Sequence, residues 1–284
     1  MLRPRISPAR WIREVWLLDT NVKPTIEDFL EELAQSSCSA LLLDYDGTLA
    51  PFHADRDHAL PYPGVAALLQ EIMNTGHTRV VLITGRPAHD VVPLLRLVPP
   101  PEIWGVYGLQ RLKPDGTCEM RQLDEAVARA LEGATQWVNE LGFGNLVEVK
   151  PGSVAVHWRG LEDSEAARIR GTVLLGWLPI AERARMTLQD FDGGVEMVMS
   201  DCNKGDAVRE FLATLNSAVS IAYLGDDQAD EEGFRALQNR GLRILVRPEW
   251  RETAADVWLR PPEELVDFLF QWLTVLPRRE VSRP

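Results

Sequence analysis

The sequence predicts an α/β protein, a doubly wound, Rossmann-like parallel sheet interrupted by an inserted α+β module. Three observations predict it. Short apolar, β-rich runs alternate with helical patterns along most of the chain, as in a parallel sheet covered on both faces by helices. Between about residues 110 and 195 that rhythm gives way to strands joined by tight turns. The length, 284 residues, suits one large core with a smaller module.

The parallel strands are read at Ala40–Asp44, Thr78–Thr84, Ile103–Tyr107, Ser220–Leu224 and Leu242–Val246, each an apolar run bounded by polar or glycine residues. Helical patterns fall between them at 63–75, 87–96, 204–215 and 230–239. A last helix over 262–275 carries Leu265, Phe268, Leu269 and Trp272 at i, i+3, i+4 and i+7, an apolar stripe for packing on the sheet. In the interrupting block, Pro114-Asp115-Gly116 signals a hairpin and a helix follows over 123–141. Strands Leu146–Lys150 and Ser153–Trp158 flank Pro151-Gly152, a second helix spans 162–178, and strands over 184–190 and 194–199 flank Asp192-Gly193-Gly194. The expected division is therefore a core of 1–109 with 200–284 and an inserted module of 110–199, with hinges near Gly108 and Met199–Asp201 and frayed tails at 1–15 and 277–284.

Composition restricts the function. With 45% hydrophobic and 25% charged residues, the chain is an ordinary globular one. No apolar run approaches the roughly 18 residues of a membrane span, and the three widely spaced cysteines fit a reducing compartment and offer no zinc-ligand spacing, so a cytoplasmic protein without membrane contact is expected. A net charge of −12 argues against nucleic-acid binding and requires a locally basic pocket for any anionic substrate.

The strongest chemical signal is LLLDYDGTLAP, residues 41–51, where an apolar strand ends on Asp44 and Asp46. Parallel sheets place ligands at the carboxyl ends of their strands. A carboxylate there can attack phosphorus once Mg²⁺ has offset the charge of the phosphate, which makes Asp44 the candidate nucleophile. Asp46 is the candidate to protonate the leaving alcohol and then activate water. An EF-hand is disfavoured because Leu49 occupies the position that needs glycine. A glycosyltransferase metal site and a plain Asp-Gly turn remain open on this motif alone.

Companion motifs narrow the choice. VLITGR, residues 81–86, ends a strand on Thr84-Gly85-Arg86, whose hydroxyl and backbone N–H groups can hold phosphate oxygens. Asn203-Lys204-Gly205 opens a helix with an ammonium suited to the charge of a phosphate and a nucleophile. AYLGDDQADEEGF, residues 222–234, sets Asp226 and Asp227 after another strand, hard oxygen donors of the kind Mg²⁺ takes.

In this order the four motifs resemble the haloacid dehalogenase superfamily of phosphohydrolases. The resemblance implies Asp44 as nucleophile, Asp46 as acid and base, Thr84 and Lys204 as phosphate holders, and Mg²⁺ held by Asp44, Asp226 and the main-chain carbonyl of Asp46. Gly47, Arg86 and Asp227 would line the substrate pocket, Asp227 also supporting the metal shell, and the insert would be a cap of the C2 type. DYDGTLAP, LITGRP, WGVYG, VAVHWRG and GDD-x-x-DE-x-GF further resemble trehalose-6-phosphate phosphatases over about residues 40 to 270. That resemblance implies a small sugar-phosphate substrate, trehalose and phosphate as products, and sugar contacts from Gln110, Lys150, His157, Arg159 and Glu196. The chain departs from the family pattern at Tyr107 and Gln110, where histidine and glutamate are usual, and also at Met199 and Ala229. Another sugar phosphate, or a non-catalytic sugar-phosphate regulator, stays open as an alternative.

Overall fold

The computed structural model describes residues 23–53, 55–191, 193–200, 202–215 and 219–277. The expected frayed tails, apart from Pro277, and the turn and hinge residues Asp192 and Asp201 lie outside the described residues.

Helix α1, Ile26–Gln35, opens the described chain, capped by the Thr25 hydroxyl on the Asp28 N–H. Strand β1, Ser39–Leu43, follows, then α2, Val65–Thr75, β2, Thr78–Ile83, α3, Ala88–Leu95, and β3, Glu102–Gly105. A hairpin of β4, Gln110–Leu112, and β5, Cys118–Met120, leads to α4, Glu125–Glu140, β6, Val147–Lys150, β7, Ser153–His157, α5, Asp163–Ala184, β8, Met186–Phe191, and β9, Gly194–Met199. The chain ends with α6, Lys204–Ala213, β10, Ser220–Gly225, α7, Asp230–Leu237, β11, Leu242–Val246, β12, Val257–Leu259, and α8, Glu263–Val275.

Eight strands form one sheet in the order β12-β11-β10-β1-β2-β3-β4-β5. It is parallel from β12 to β3, and only the hairpin at its edge is antiparallel. Central β1 is buried on both faces because its side chains alternate between two cores: Leu41 and Leu43 pack towards α1, α2, α3 and α8, whereas Ala40 and Leu42 pack towards α6 and α7. The doubly wound α/β expectation holds. Four more strands form an antiparallel sheet, β6-β7-β9-β8, whose apolar face meets α4 and α5 in a separate core around Val154, Val156, Val173 and Trp177.

The structure corrects several sequence expectations. The hairpin at 110–120 extends the large sheet beyond β3, so the second layer begins after it and not at residue 110. The expected strand Ile103–Tyr107 stops at Gly105, because Val106 and Tyr107 turn to left-handed φ values of 49° and 56°. Helix α5 runs past the expected end at 178 and through Pro179, a residue that removes one backbone bond. Buried Trp177 and Ala181 on either side hold that stretch against the sheet. Neither α1 nor β12 was expected.

Candidate active site

The polar centre lies where β1, β2 and β10 end, at the carboxyl edge of the sheet. Asp44 follows β1 and is 3% exposed, with its backbone N–H bonded to the Leu224 carbonyl of β10. Its Oδ1 lies 2.7 Å from Lys204 Nζ, and its Oδ2 accepts from the Thr48 hydroxyl at 3.2 Å. Lys204 is the first residue of α6, whose start is fixed by a capping box between Asn203 and Asp206. Burial opposes the lysine's charge, yet Asp230 and Asp44 outweigh it and raise its pKa.

Asp226 follows β10 beside Asp44, with one carboxylate oxygen, Oδ1, buried and without a hydrogen-bond partner among the described residues. Burial, joined by the other acids nearby and only partly opposed by Lys204, pushes the Asp44 carboxyl up to about 8 and the Asp226 carboxyl up to about 10. A cation between them would relieve both penalties. Carboxylate oxygens of Asp44, Asp226 and Asp230 lie within 4.8 Å of one another. Asp230, however, is already saturated: Oδ1 meets Lys204 Nζ and the Tyr223 hydroxyl, and Oδ2 accepts the N–H groups of Asp226 and Asp227. It shapes the loop, leaving the free valence to Asp226 and Asp44. An orphaned buried oxygen in a set of hard oxygen donors fits a divalent cation.

Gly47 brings the two acidic segments together. Its φ is +83°, and a Cβ there would fall 2.1 Å from Asp226 Oδ2, so only glycine admits this approach. Asp46, one residue earlier, is gripped bidentately by Arg86, with Nε to Oδ2 at 2.6 Å and Nη2 to Oδ1 at 2.5 Å. The third guanidinium nitrogen, Nη1, donates to the Arg56 carbonyl at 2.6 Å. Arg86, 2% exposed, is thus occupied by protein partners. Thr84 is buried after β2, and its Oγ1 accepts the Arg86 N–H at 3.1 Å, which leaves the hydroxyl proton for another acceptor. Asp227 turns its Oδ1 to the Ala229 N–H at 2.9 Å.

The smaller sheet contributes a second polar cluster. Glu196 on β9 accepts from Lys150 Nζ at 3.0 Å and from the Ser153 hydroxyl at 2.6 Å. Glu148 on β6 meets His157 Nε2 at 2.9 Å, Lys150 Nζ at 3.5 Å and, from the larger layer, Arg56 Nη1 at 2.9 Å. Burial pushes the Glu148 carboxyl up, but His157, Lys150 and Arg56 outweigh it and hold it at about 2. The structure thus assembles Lys150, His157 and Glu196. Arg159 is exposed and lies against the turn at Gly193. Gln110 does not join the cluster: it is buried, with Oε1 accepting the Ala88 N–H at 3.0 Å to satisfy the start of α3.

Sequence reasoning placed Asp230 in the turn after Asp226 and Asp227 without giving it a role, and passed over Glu148, Arg56 and Arg251. Asp230 was visible as the third acid of the 222–234 segment. Arg251 donates to the carbonyls of Asp226 and Asp227 at 3.2 and 2.6 Å and to Glu231 at 2.6 Å, bracing the acidic loop from a part of the chain with no motif.

The profile of the trehalose-phosphatase family matches residues 42–257, which span every strand-end acid described above. The chain belongs to the trehalose-phosphatase family. Among relatives of that family, the trehalose-phosphate phosphatase of Mycobacterium ulcerans is 31% identical over 242 residues, covering 81% of this chain and 60% of that protein. The chain therefore spans about 60% of the length of that relative. The trehalose-phosphatase fold recurs in the C-terminal domain of Candida albicans trehalose-6-phosphate phosphatase, with a TM-score of 0.70 at 17% identity, covering 90% of this chain and 99% of that one. It recurs also in the C-terminal domain of the C. albicans trehalose synthase regulatory protein, with a TM-score of 0.68 at 13% identity, covering 88% and 99%. Among the described residues, no helix is long and apolar enough to cross a membrane.

Proposed function

We propose that the chain is a phosphatase that hydrolyses trehalose 6-phosphate to trehalose and phosphate, in trehalose biosynthesis. The observation that carries this reading is the meeting of Asp44, Lys204 and Asp226 at the strand ends, with the unpaired Asp226 oxygen beside them. Asp44, Asp226 and the main-chain carbonyl of Asp46 would hold a divalent cation, Mg²⁺ in this proposal. When bound, it would offset the negative charge of the phosphate.

Asp44 attacks phosphorus, a P–O bond to the carboxylate forms, and the bond to the sugar oxygen breaks. Thr84 and Lys204 hold the phosphoryl oxygens by hydrogen bond and charge. Asp46 gives its proton to the departing sugar oxygen, then takes one from the water that attacks the aspartyl-phosphate and frees Asp44. In the conformation described, both Asp46 oxygens are held by Arg86, so delivering a proton requires release of at least one of those bonds. Arg86 thereby acts on the acid and base, while Gly47 and Asp227 keep the backbone of the pocket in place.

The module formed by the four-stranded sheet with α4 and α5 is proposed to be a C2-type cap. Its Lys150, His157 and Glu196, with Arg159 at the rim, would take the sugar hydroxyls. It would move about hinges at Gly108 and Met199, sheltering the intermediate from water. A sugar-phosphate substrate for a chain of net charge −12 matches the local lysine and arginine groups of the pocket, and we place the protein in the cytoplasm on the same reading of its cysteines. A panel of sugar phosphates assayed with Mg²⁺ and with EDTA tests the proposal. Fastest phosphate release from trehalose 6-phosphate, lost in EDTA, is expected. Equal or faster release from glucose 6-phosphate or from glucosyl- or mannosyl-phosphoglycerate would overturn the substrate. The departures from the family pattern at Tyr107 and Gln110 favour that second reading of the sugar.

A further inference from the structure

Past the end of β3 the backbone takes three left-handed residues in succession, Val106, Tyr107 and Gly108, at φ of 49°, 56° and 99°. Such values are uncommon for any residue with a Cβ and rarer still for a β-branched one, so the surrounding structure must impose them. It does so through bonds from the N–H groups of Val106 and Tyr107 to the carbonyls of Arg86 and Thr84, at 2.9 and 3.0 Å. Cys202 adds its Sγ, 3.5 Å from the carbonyls of both residues.

The strained turn lays the Tyr107 ring on the phosphate-holding loop. A Cβ on Gly85 would meet the ring carbon bearing the hydroxyl at 2.7 Å and the hydroxyl oxygen at 2.8 Å, so tyrosine at 107 and glycine at 85 are fitted to each other. The ring is partly buried, and its hydroxyl has no hydrogen-bond partner among the described residues. The hydroxyl is not among the buried polar atoms that lack a partner, so it reaches solvent and is open to a group that enters the site. Burial pushes the pKa of this hydroxyl up, and the charges acting on it are Glu196 from the smaller sheet, then Lys204, Asp227 and Asp44. It keeps its proton and stands between the two polar clusters. Gln110, the other departure from the family pattern, has its Oε1 taken by the Ala88 N–H.

We infer that the Tyr107 hydroxyl determines specificity by donating a hydrogen bond to a hydroxyl of the sugar that carries the phosphate. This rests on the sugar-phosphatase reading above and assigns the contact to a residue unlike the family's usual histidine. A free hydroxyl over Gly85 faces the point where phosphate and sugar join, so it reads the leaving group and leaves the phosphate to Thr84 and Lys204.

Tyr107→Phe tests this, since phenylalanine keeps the ring, the fit on Gly85 and the backbone demand. The full-length protein is assayed with trehalose 6-phosphate and with p-nitrophenyl phosphate, whose leaving group lacks sugar hydroxyls. The ratio of the two kcat/KM values should fall about 10-fold, the effect of one hydrogen bond to a desolvated group. An unchanged ratio overturns the inference, whether both activities fall together or neither falls. Calorimetric binding of trehalose 6-phosphate to Asp44→Asn, with and without Tyr107→Phe, gives a readout without turnover: about 10-fold weaker binding in the double variant supports the contact, and equal binding removes it. If the wild type prefers another sugar phosphate, the proposed substrate fails, while the same ratio measured on the preferred ester still decides the role of Tyr107.

Discussion

At Gly47 one missing Cβ lets the β1 segment touch the β10 acid, and this contact sets the distance between the candidate nucleophile and the orphaned Asp226 oxygen. Gly47→Ala combines strained φ with a collision against Asp226. The expected result is a loss of more than about 1 kcal/mol of stability together with a raised half-saturation for Mg²⁺, measured by thermal melts and by metal titration of activity. Glu148 makes a prediction in the opposite part of the site. Its ordinary pKa of 4.5 falls to about 2 in the fold, so its partners stabilise the protein fully above the unfolded value. That contribution is lost as pH drops through the window from 4.5 to about 2. Glu148→Gln should flatten this part of the stability profile in acid denaturation; an unchanged slope would rule out the carboxylate as its source. The placement of Asp44, Thr84, Lys204 and Asp226 at strand ends or a helix start was legible in the sequence, because each ends an apolar run or opens a helix. The bond from the Ala88 N–H to Gln110 Oε1 was not legible, because it is fixed by how α3 docks beside β4, a tertiary fact that residue type does not carry.

Among the elements, periodicity revealed those with two buried faces or a clear stripe, including β1, β2, β10 and α8. It failed where local pattern and pairing partner are separate matters. The β4-β5 hairpin was recognised as a hairpin, yet its attachment to β3 depends on the edge left free by the large sheet. The short β12 has three residues and gains its place only by pairing with β11. Helix α1 was missed although Phe29, Leu30 and Leu33 form its buried face. This helix packs against α8 through the ring of Phe29, 5.5 Å from that of Trp272, and stands away from the acidic centre. Leu33→Ala should therefore cost about 2–5 kcal/mol in urea unfolding while leaving kcat/KM of the folded protein as it was. A matching loss of kcat/KM would show that α1 also tunes the site.

For the molecule as a whole, the contact between the two layers at Arg56 and Glu148 is linked to Asp46, the proposed acid and base, by one residue, since the Arg56 carbonyl is held by the same guanidinium that grips Asp46. Both partners of the pair are part-exposed, so its strength is that of a screened surface ion pair, about 0.2–1 kcal/mol. Arg56→Ala should lower kcat/KM for a sugar phosphate by about 2- to 5-fold at low salt, with the difference shrinking as salt is added; a loss independent of salt would point to packing instead. The order of strands has a separate effect on how the chain matures. Strand β1 is made early, but one of its two neighbours, β10, leaves the ribosome only after the whole of the smaller sheet and its helices. Until then an apolar strand lies with one ladder open, a template for mispairing with other chains. The intervening module is continuous in sequence and has its own core, so it can fold first and draw the two separated halves of the large sheet together at its exit points. For the nascent chain, the four-stranded module is a closure for its own synthesis, whatever it later covers.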